Sequence, residues 1–298
     1  MLPLWYRRAL VLNILVQSGI IITGAIVRVT GSGLGCPTWP DCVEGSLAPT
    51  ADQTEDWHKW VEFGNRLLTF VVGLVALIVV IGALKYFKQP RRRLLAATPL
   101  LGTVAQALLG GVTVLTGLHP LTVMAHFLLS IIIVGLSVRL WFTSSDPIRT
   151  DDRLLTTFSY ILPLVTLLLI AAGTLVTGSG PHSGDADITH RLPFDLKTVA
   201  WFHADILWLF LGLLITLWIV ARASRHTLTT DAQRWLTVIS VITLIQGLIG
   251  YIQFFTELPE LLVILHVTGA ILVWNFVLRL SYELRYKTRN TNGKKDNR

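Results

Sequence analysis

The chain has 298 residues, 52% of them hydrophobic and 14% charged, with a mean hydropathy of +0.61. Such values exclude an ordinary soluble domain and fit a polytopic membrane protein. The formal net charge of +7 would suit a polyanion if it were gathered on one face, but it is spread according to topology, so no nucleic-acid partner is read from it.

A spanning helix needs roughly 20 mostly apolar residues. Eight stretches qualify: 9–29, 62–84, 95–116, 121–142, 155–177, 199–221, 236–255 and 261–282. With the N-terminus in the cytoplasm, the inner segments carry most of the 25 Lys and Arg, from Arg7 and Arg8 to a basic tail. Only Arg28, Lys59, Arg66, Arg191 and Lys197 fall on the other side. This positive-inside bias places both termini in the cytoplasm. The first run follows Arg7 and Arg8 and so imitates a signal peptide, but a related copy later in the chain argues that it is retained.

That first run ends in GAIVRVTGSGLGCPTWPDC, Gly24–Cys42, which breaks at Thr30-Gly31-Ser32-Gly33 and closes a short loop between Cys36 and Cys42. These are the only two cysteines. Both fall in an outer loop, where a disulfide is the expected state. A structural zinc site wants about four ligands and finds no histidine beside this pair. A redox-active pair remains the alternative.

A thinner copy of the loop, GTLVTGSG, returns at Gly173–Gly180. Gln106, Gly110 and His126 recur as Gln246, Gly250 and His266 at an offset of 140, and TGSG recurs at an offset of 147. The fold expected is therefore an all-α membrane protein of eight helices. It divides into two four-helix bundles, 1–142 and 155–284, joined by a cytoplasmic linker at 143–154 and followed by a basic cytoplasmic tail at 285–298. Four spans return the chain to its starting side, so the halves are parallel rather than inverted repeats.

His126 lies six residues after Pro120, His203 six after Lys197 and His266 six after Glu260. Each should sit about 9 Å inside the outer edge of its helix. Ionisable groups at membrane depth are costly and usually functional, although one such histidine alone is explained as well by an interhelical hydrogen bond. Imidazole is a usual ligand of haem iron. His203 and His266 form a candidate axial pair in the second half. In the first half His126 matches His266, and the residue matching His203 is Asn65, within Trp60-Val61-Glu62-Phe63-Gly64-Asn65-Arg66.

Taken together, the TGSGLGC–P–WP–C loop, the Glu62-x-x-x-Arg66 string and the spaced Gln/His repeats resemble haem A synthase, from about Arg7 to Arg279. The resemblance implies an oxidoreductase of the cytoplasmic membrane that converts the C8 methyl of haem O to the formyl of haem A for terminal oxidase assembly. It implies a substrate half holding haem O or haem A and a second half holding haem b. It also implies Glu62 as the catalytic carboxylate and His126, His203 and His266 as iron ligands. The partners implied are a haem O synthase that supplies the substrate, an electron donor, the lipid bilayer and a possible second copy of the chain. Asn65 departs from the family pattern, in which many members have a histidine three residues after the glutamate matching Glu62. Three arrangements are compatible with it: His126 alone on the substrate haem with an open position opposite, His58 swinging in, or a less active first half.

Glu62 also reads as an interfacial acid near a helix start. Arg28 and Arg66, at the outer ends of their spans, either snorkel or bind haem propionates, and Asn65 joins them as a candidate substrate-binding residue. His119, His182, His190 and His226 receive no ligand role. The tryptophans, Trp39 among them, mostly fall at span ends as an aromatic belt. A transporter would be expected to show broken helices or acidic residues at mid-membrane, and the reading finds neither. A haem prenyltransferase would need aspartate-rich diphosphate motifs, which the inner loops do not supply. The alternative function is a membrane cytochrome b acting only in electron transfer or haem delivery.

Overall fold

The computed structural model describes residues 2–144, 148–185, 190–223 and 228–287. Within them the chain forms eight helices: α1 (Leu4–Val29), α2 (His58–Tyr86), α3 (Pro90–Leu115), α4 (Pro120–Thr143), α5 (Arg153–Ser179), α6 (Leu196–Arg222), α7 (Thr230–Phe255) and α8 (Glu260–Arg285). All eight are long and apolar enough to cross a membrane.

Every helix begins before the apolar stretch that announced it, because hydropathy counts oily residues whereas helices start in polar caps. Side chains of Asp152, Asp195 and Thr229 accept the N–H groups of Leu155, Thr198 and Ala232, closing the first turns of α5, α6 and α7. The N–H and hydroxyl of Thr198 hold the exposed Asp195 carboxyl below its ordinary range. Proline opens α3 and α4, where its missing N–H costs nothing. Inside α3, Pro99 frees the carbonyl of Leu95, and the Thr98 hydroxyl donates to it at 2.7 Å.

Three expectations need correction. Thr177, Gly178 and Ser179 belong to the last turn of α5, and only Gly180 leaves it; the first TGSG, by contrast, follows the end of α1. The linker is shorter than expected, since α4 continues to Thr143 and α5 begins at Arg153. Part of it forms a two-residue strand, β1 (Ile148–Arg149), antiparallel to β2 (Tyr286–Lys287) just after α8, so the start of the tail is tied to the linker. The tail beyond residue 287 lies outside the described residues. Finally, Asp205 is an acid nine residues into α6, roughly 13 Å along the helix, and it is exposed.

Helices α1 to α4 pack in a ring, each against its neighbours and α4 back on α1, and α5 to α8 form a second ring. The rings meet through α1 on α8, α4 on α8 and α4 on α5. Ile21, Ile131, Val134, Ile271 and Trp274 form the core of this junction. Trp274 donates its indole N–H to the Ile131 carbonyl across it at 2.9 Å, and the Tyr282 hydroxyl donates to the Phe142 carbonyl at 2.7 Å.

The remaining apolar cores gather away from the disulfide loop. One joins Tyr6, Leu10, Val79 and Leu140; the other joins Phe158, Phe210, Leu236 and Val277. The halves of the rings nearer the loop are left with space.

Candidate functional site

That space is one cavity of about 650 Å³, bordered by residues of all eight helices and by the disulfide loop. Glu62, Asn65, Arg66, His126, His203, His266 and Arg28 all line it. These residues come from five helices, α1, α2, α4, α6 and α8, and the fold brings them to one chamber. His126 and His266 stand six residues past the first residues of α4 and α8, and His203 seven past that of α6, so the common depth arises from common helix starts.

In the second ring, His203 and His266 face each other with ring centres 6.3 Å apart. His203 Nδ1 lies 3.0 Å from the Leu169 carbonyl. A carbonyl only accepts, so Nδ1 carries the hydrogen and Nε2 keeps its lone pair for a ligand position. Two imidazoles that each bind one iron at about 2 Å put their ring centres roughly 6 Å apart. The pair therefore fits an iron held between two histidines. His119 and His190 show the same spacing, but both are exposed in loops, whereas the pair in the chamber is shielded.

Each of the three histidines packs on a helical glycine of a neighbouring helix. A Cβ on Gly110 would lie 3.3 Å from Cε1 of His126, one on Gly250 3.4 Å from Cε1 of His266, and one on Gly173 3.2 Å from Cε1 of His203. The absent methyl groups are what let the rings lie against the helices. Nδ1 of His126 and of His266 is buried without a hydrogen-bond partner among the described residues. Among the described residues no three His, Cys, Asp or Glu side chains converge to enclose a bare metal ion. Two imidazoles suit an iron whose other ligands come from a planar macrocycle.

In the first ring, Glu62 is buried near the start of α2. Its Oε2 accepts the Cys36 N–H at 2.6 Å, and its Oε1 accepts from Arg66 Nη2 at 2.6 Å and Nε at 3.1 Å. Arg66 also donates to the carbonyls of Cys36, Thr38 and Asp41. Cys36 and Cys42 form the expected disulfide. The loop it closes is thus bound to α2 through Glu62 and Arg66, and its Trp39 lies in the chamber wall against Gly111. Trp39 belongs to the loop motif and reads in the sequence as part of the aromatic belt, with no role in the chamber expected of it.

Arg28 donates to the Thr177 carbonyl at 3.0 Å and the His182 carbonyl at 2.8 Å, both in the second half. His182 in turn bonds through Nε2 to the Leu258 carbonyl at 2.8 Å. Gly33 N–H donates to the Gly184 carbonyl at 2.8 Å. The two loops therefore form one roof over the chamber. Gln106 donates to the His126 carbonyl and to Ser130 Oγ, a role its sequence repeat marked without explaining.

The sequence profile of the cytochrome oxidase assembly protein family, COX15-CtaA, matches residues 7–183. The chain belongs to this family. Among similar proteins, the haem A synthase of Listeria monocytogenes serovar 1/2a is 31% identical over 175 residues, 56% of either chain. That of Shouchella clausii is 35% identical over 133 residues, 43% of either chain. That of Geobacillus thermodenitrificans is 32% identical over 108 residues, 36% of this chain and 32% of the relative. The chain thus spans from about a third to just over half the length of these relatives. Membership and the eight apolar helices make it a multi-pass membrane protein.

Proposed function

We propose that the chain is a haem A synthase, an oxidoreductase that converts the C8 methyl of haem O to the formyl of haem A. The observation that carries this reading is the chamber itself: it is lined by one shielded pair of facing histidines from the second ring, and by a buried carboxylate and a single histidine from the first. The second ring, residues 155–284, would hold haem b between His203 and His266. The first, residues 1–142, would take haem O on His126. Bound haem would supply the redox chemistry of its iron.

The chain's own residues divide the remaining work. His203, fixed through Nδ1 by the Leu169 carbonyl, keeps the Nε2 lone pair as its ligand position, with the His266 ring centre 6.3 Å from its own. Glu62 holds a site for a proton at the chamber wall: Oε1 takes both Arg66 donors, whereas Oε2 takes only the Cys36 N–H and keeps a lone pair for a proton. Trp39 and the paired loops exclude water from above. The chain would lie in the cytoplasmic membrane with both termini inside and the chamber toward the outer face. A haem O synthase would supply its substrate, a separate donor its electrons, and a second copy of the chain is a further possible partner.

One observation favours a second reading, a cytochrome b that only passes electrons or carries haem. Both oxygens of Glu62 are occupied by loop and arginine donors, as a purely structural acid requires. Haem extraction and chromatography decides between them, using membranes that make haem O and express wild type or Glu62→Ala. Haem A from wild type, lost in the variant while haem b is retained, supports the synthase. Haem b alone in both supports the carrier.

A further inference from the structure

The two rings differ at one place in the chamber wall. In the second ring, α6 presents His203, braced by the Leu169 carbonyl of α5 and facing His266. In the first ring, α2 presents Asn65 at the matching place, braced by α1: the Thr23 hydroxyl donates to Asn65 Oδ1 at 2.7 Å, the shorter of its two contacts. His126 matches His266 in depth and in its glycine seat, Gly110 for Gly250. The second ring offers two imidazoles and the first offers one.

Among the described residues no neighbouring side chain makes up the difference. His58 begins α2, seven residues before Asn65 and about 10 Å away along the helix. Its Nδ1 lies 2.8 Å from Ser32 Oγ and its ring stacks on Trp57, outside the chamber wall. Glu62 is held by Arg66 and the Cys36 N–H. Met124 lies in the wall, but its sulfur points toward Gly178 of α5, and it shares α4 with His126 rather than facing it. Asn65 itself is a poor iron ligand, and its Oδ1 is already an acceptor for Thr23. That leaves its Nδ2 hydrogens, for which no acceptor is found among the described residues, as the donor available to the chamber.

Resting on the haem reading given above, we infer that the first ring binds its haem iron through His126 alone. The opposite position is a binding site for a small diatomic ligand, which Asn65 meets as a hydrogen-bond donor. The second ring closes both positions. A donor beside an open iron position is what distinguishes a ligand-binding haem from one that only transfers electrons.

The test uses the full chain purified in detergent with its haem, reduced with dithionite and exposed to carbon monoxide. The absorbance change is compared with total haem, and electron paramagnetic resonance is recorded on the oxidised protein. The expected result is one carbon monoxide-reactive, high-spin haem and one inert, low-spin haem. Asn65→His converts the first to low-spin and abolishes its reaction with carbon monoxide while total haem is unchanged. Asn65→Leu keeps the reaction but shifts the C–O stretching frequency, because the donor is gone. Two inert low-spin haems in wild type overturn the proposal, as does a carbon monoxide-reactive haem that survives His126→Ala. If wild type retains no haem, or its haem content is insensitive to both His126→Ala and His203→Ala, the haem reading itself fails.

Discussion

The Glu62 carboxylate accepts the backbone N–H of Cys36 at 2.6 Å, so the acid in the chamber wall also fixes one end of the disulfide loop. Its other oxygen takes Arg66, which reaches three more carbonyls of the same loop. Placing a proton at Glu62 and holding the roof are therefore coupled: whatever disturbs one disturbs the other.

Glu62→Gln tests this coupling. Both oxygens of Glu62 receive donors, and an amide has only one acceptor oxygen, so its NH2 must face either the Cys36 N–H or Arg66. Leaving a buried donor unsatisfied costs about 2 kcal/mol. The variant should unfold several degrees below wild type in detergent, and proteolysis should cut the 36–57 loop sooner. An unchanged melting temperature would show that the carboxylate does not hold the loop.

Arg28 links the two halves through two carbonyls that its planar fork reaches together. Arg28→Lys keeps the charge but replaces the fork with a point donor, losing about 2 kcal/mol from the roof. The expected outcome is earlier proteolysis between residues 181 and 190 with the helices intact by circular dichroism. If Arg28→Lys matches wild type in both, the roof is held by the Gly33–Gly184 contact and not by the arginine.

The eight helices and the depth of the histidines were readable because each follows from a local count: apolar run length, and residues after a helix start. The disulfide followed from two cysteines in one short loop. What was not readable depends on where backbone carbonyls converge in space. The partners of Arg28 and Arg66 are carbonyls, which carry no residue code, so a guanidinium at a span end announces reach and not destination. Trp39 looked like belt because its contact, Gly111, is a residue without a side chain, on a different helix. Thr177 to Ser179 repeats the letters of Thr30 to Ser32, yet stays helical in α5, because tetrapeptide identity does not determine where a helix ends.

The glycine seats give a prediction with two opposed readouts. In a helix interior, Gly→Ala alone favours the helix by about 1 kcal/mol. At Gly173 the added Cβ would stand 3.2 Å from His203 Cε1, and a valine would extend further toward the ring. Gly173→Val should therefore lower haem content in the purified protein, measured by the pyridine haemochrome assay, with little loss of helix content. Gly19→Ala and Gly64→Ala, whose new Cβ atoms would meet nothing within 4 Å, serve as controls and should keep their haem. Equal haem in Gly173→Val and the controls would mean that His203 is free to move away from α5 without loss of binding.

Asp205 makes the opposite case, a charge where the chain itself offers no reason for one. It lies nine residues into α6 on the same exposed stripe as Trp201, Trp208 and Ile215, and no hydrogen-bond or ion-pair partner reaches it among the described residues. A carboxylate at the centre of a spanning helix costs about 3 kcal/mol on insertion scales. If that cost is uncompensated, Asp205→Leu should raise the yield of inserted protein and its melting temperature, and leave haem content unchanged. Asp205→Asn should give a smaller gain in the same direction, since it removes the charge but keeps a polar group. Both variants are scored by membrane yield, thermal denaturation and haem content. A fall in yield or stability for Asp205→Leu would instead show that the carboxylate is compensated by a group outside this chain, and the α6 stripe would then be the surface on which to seek it.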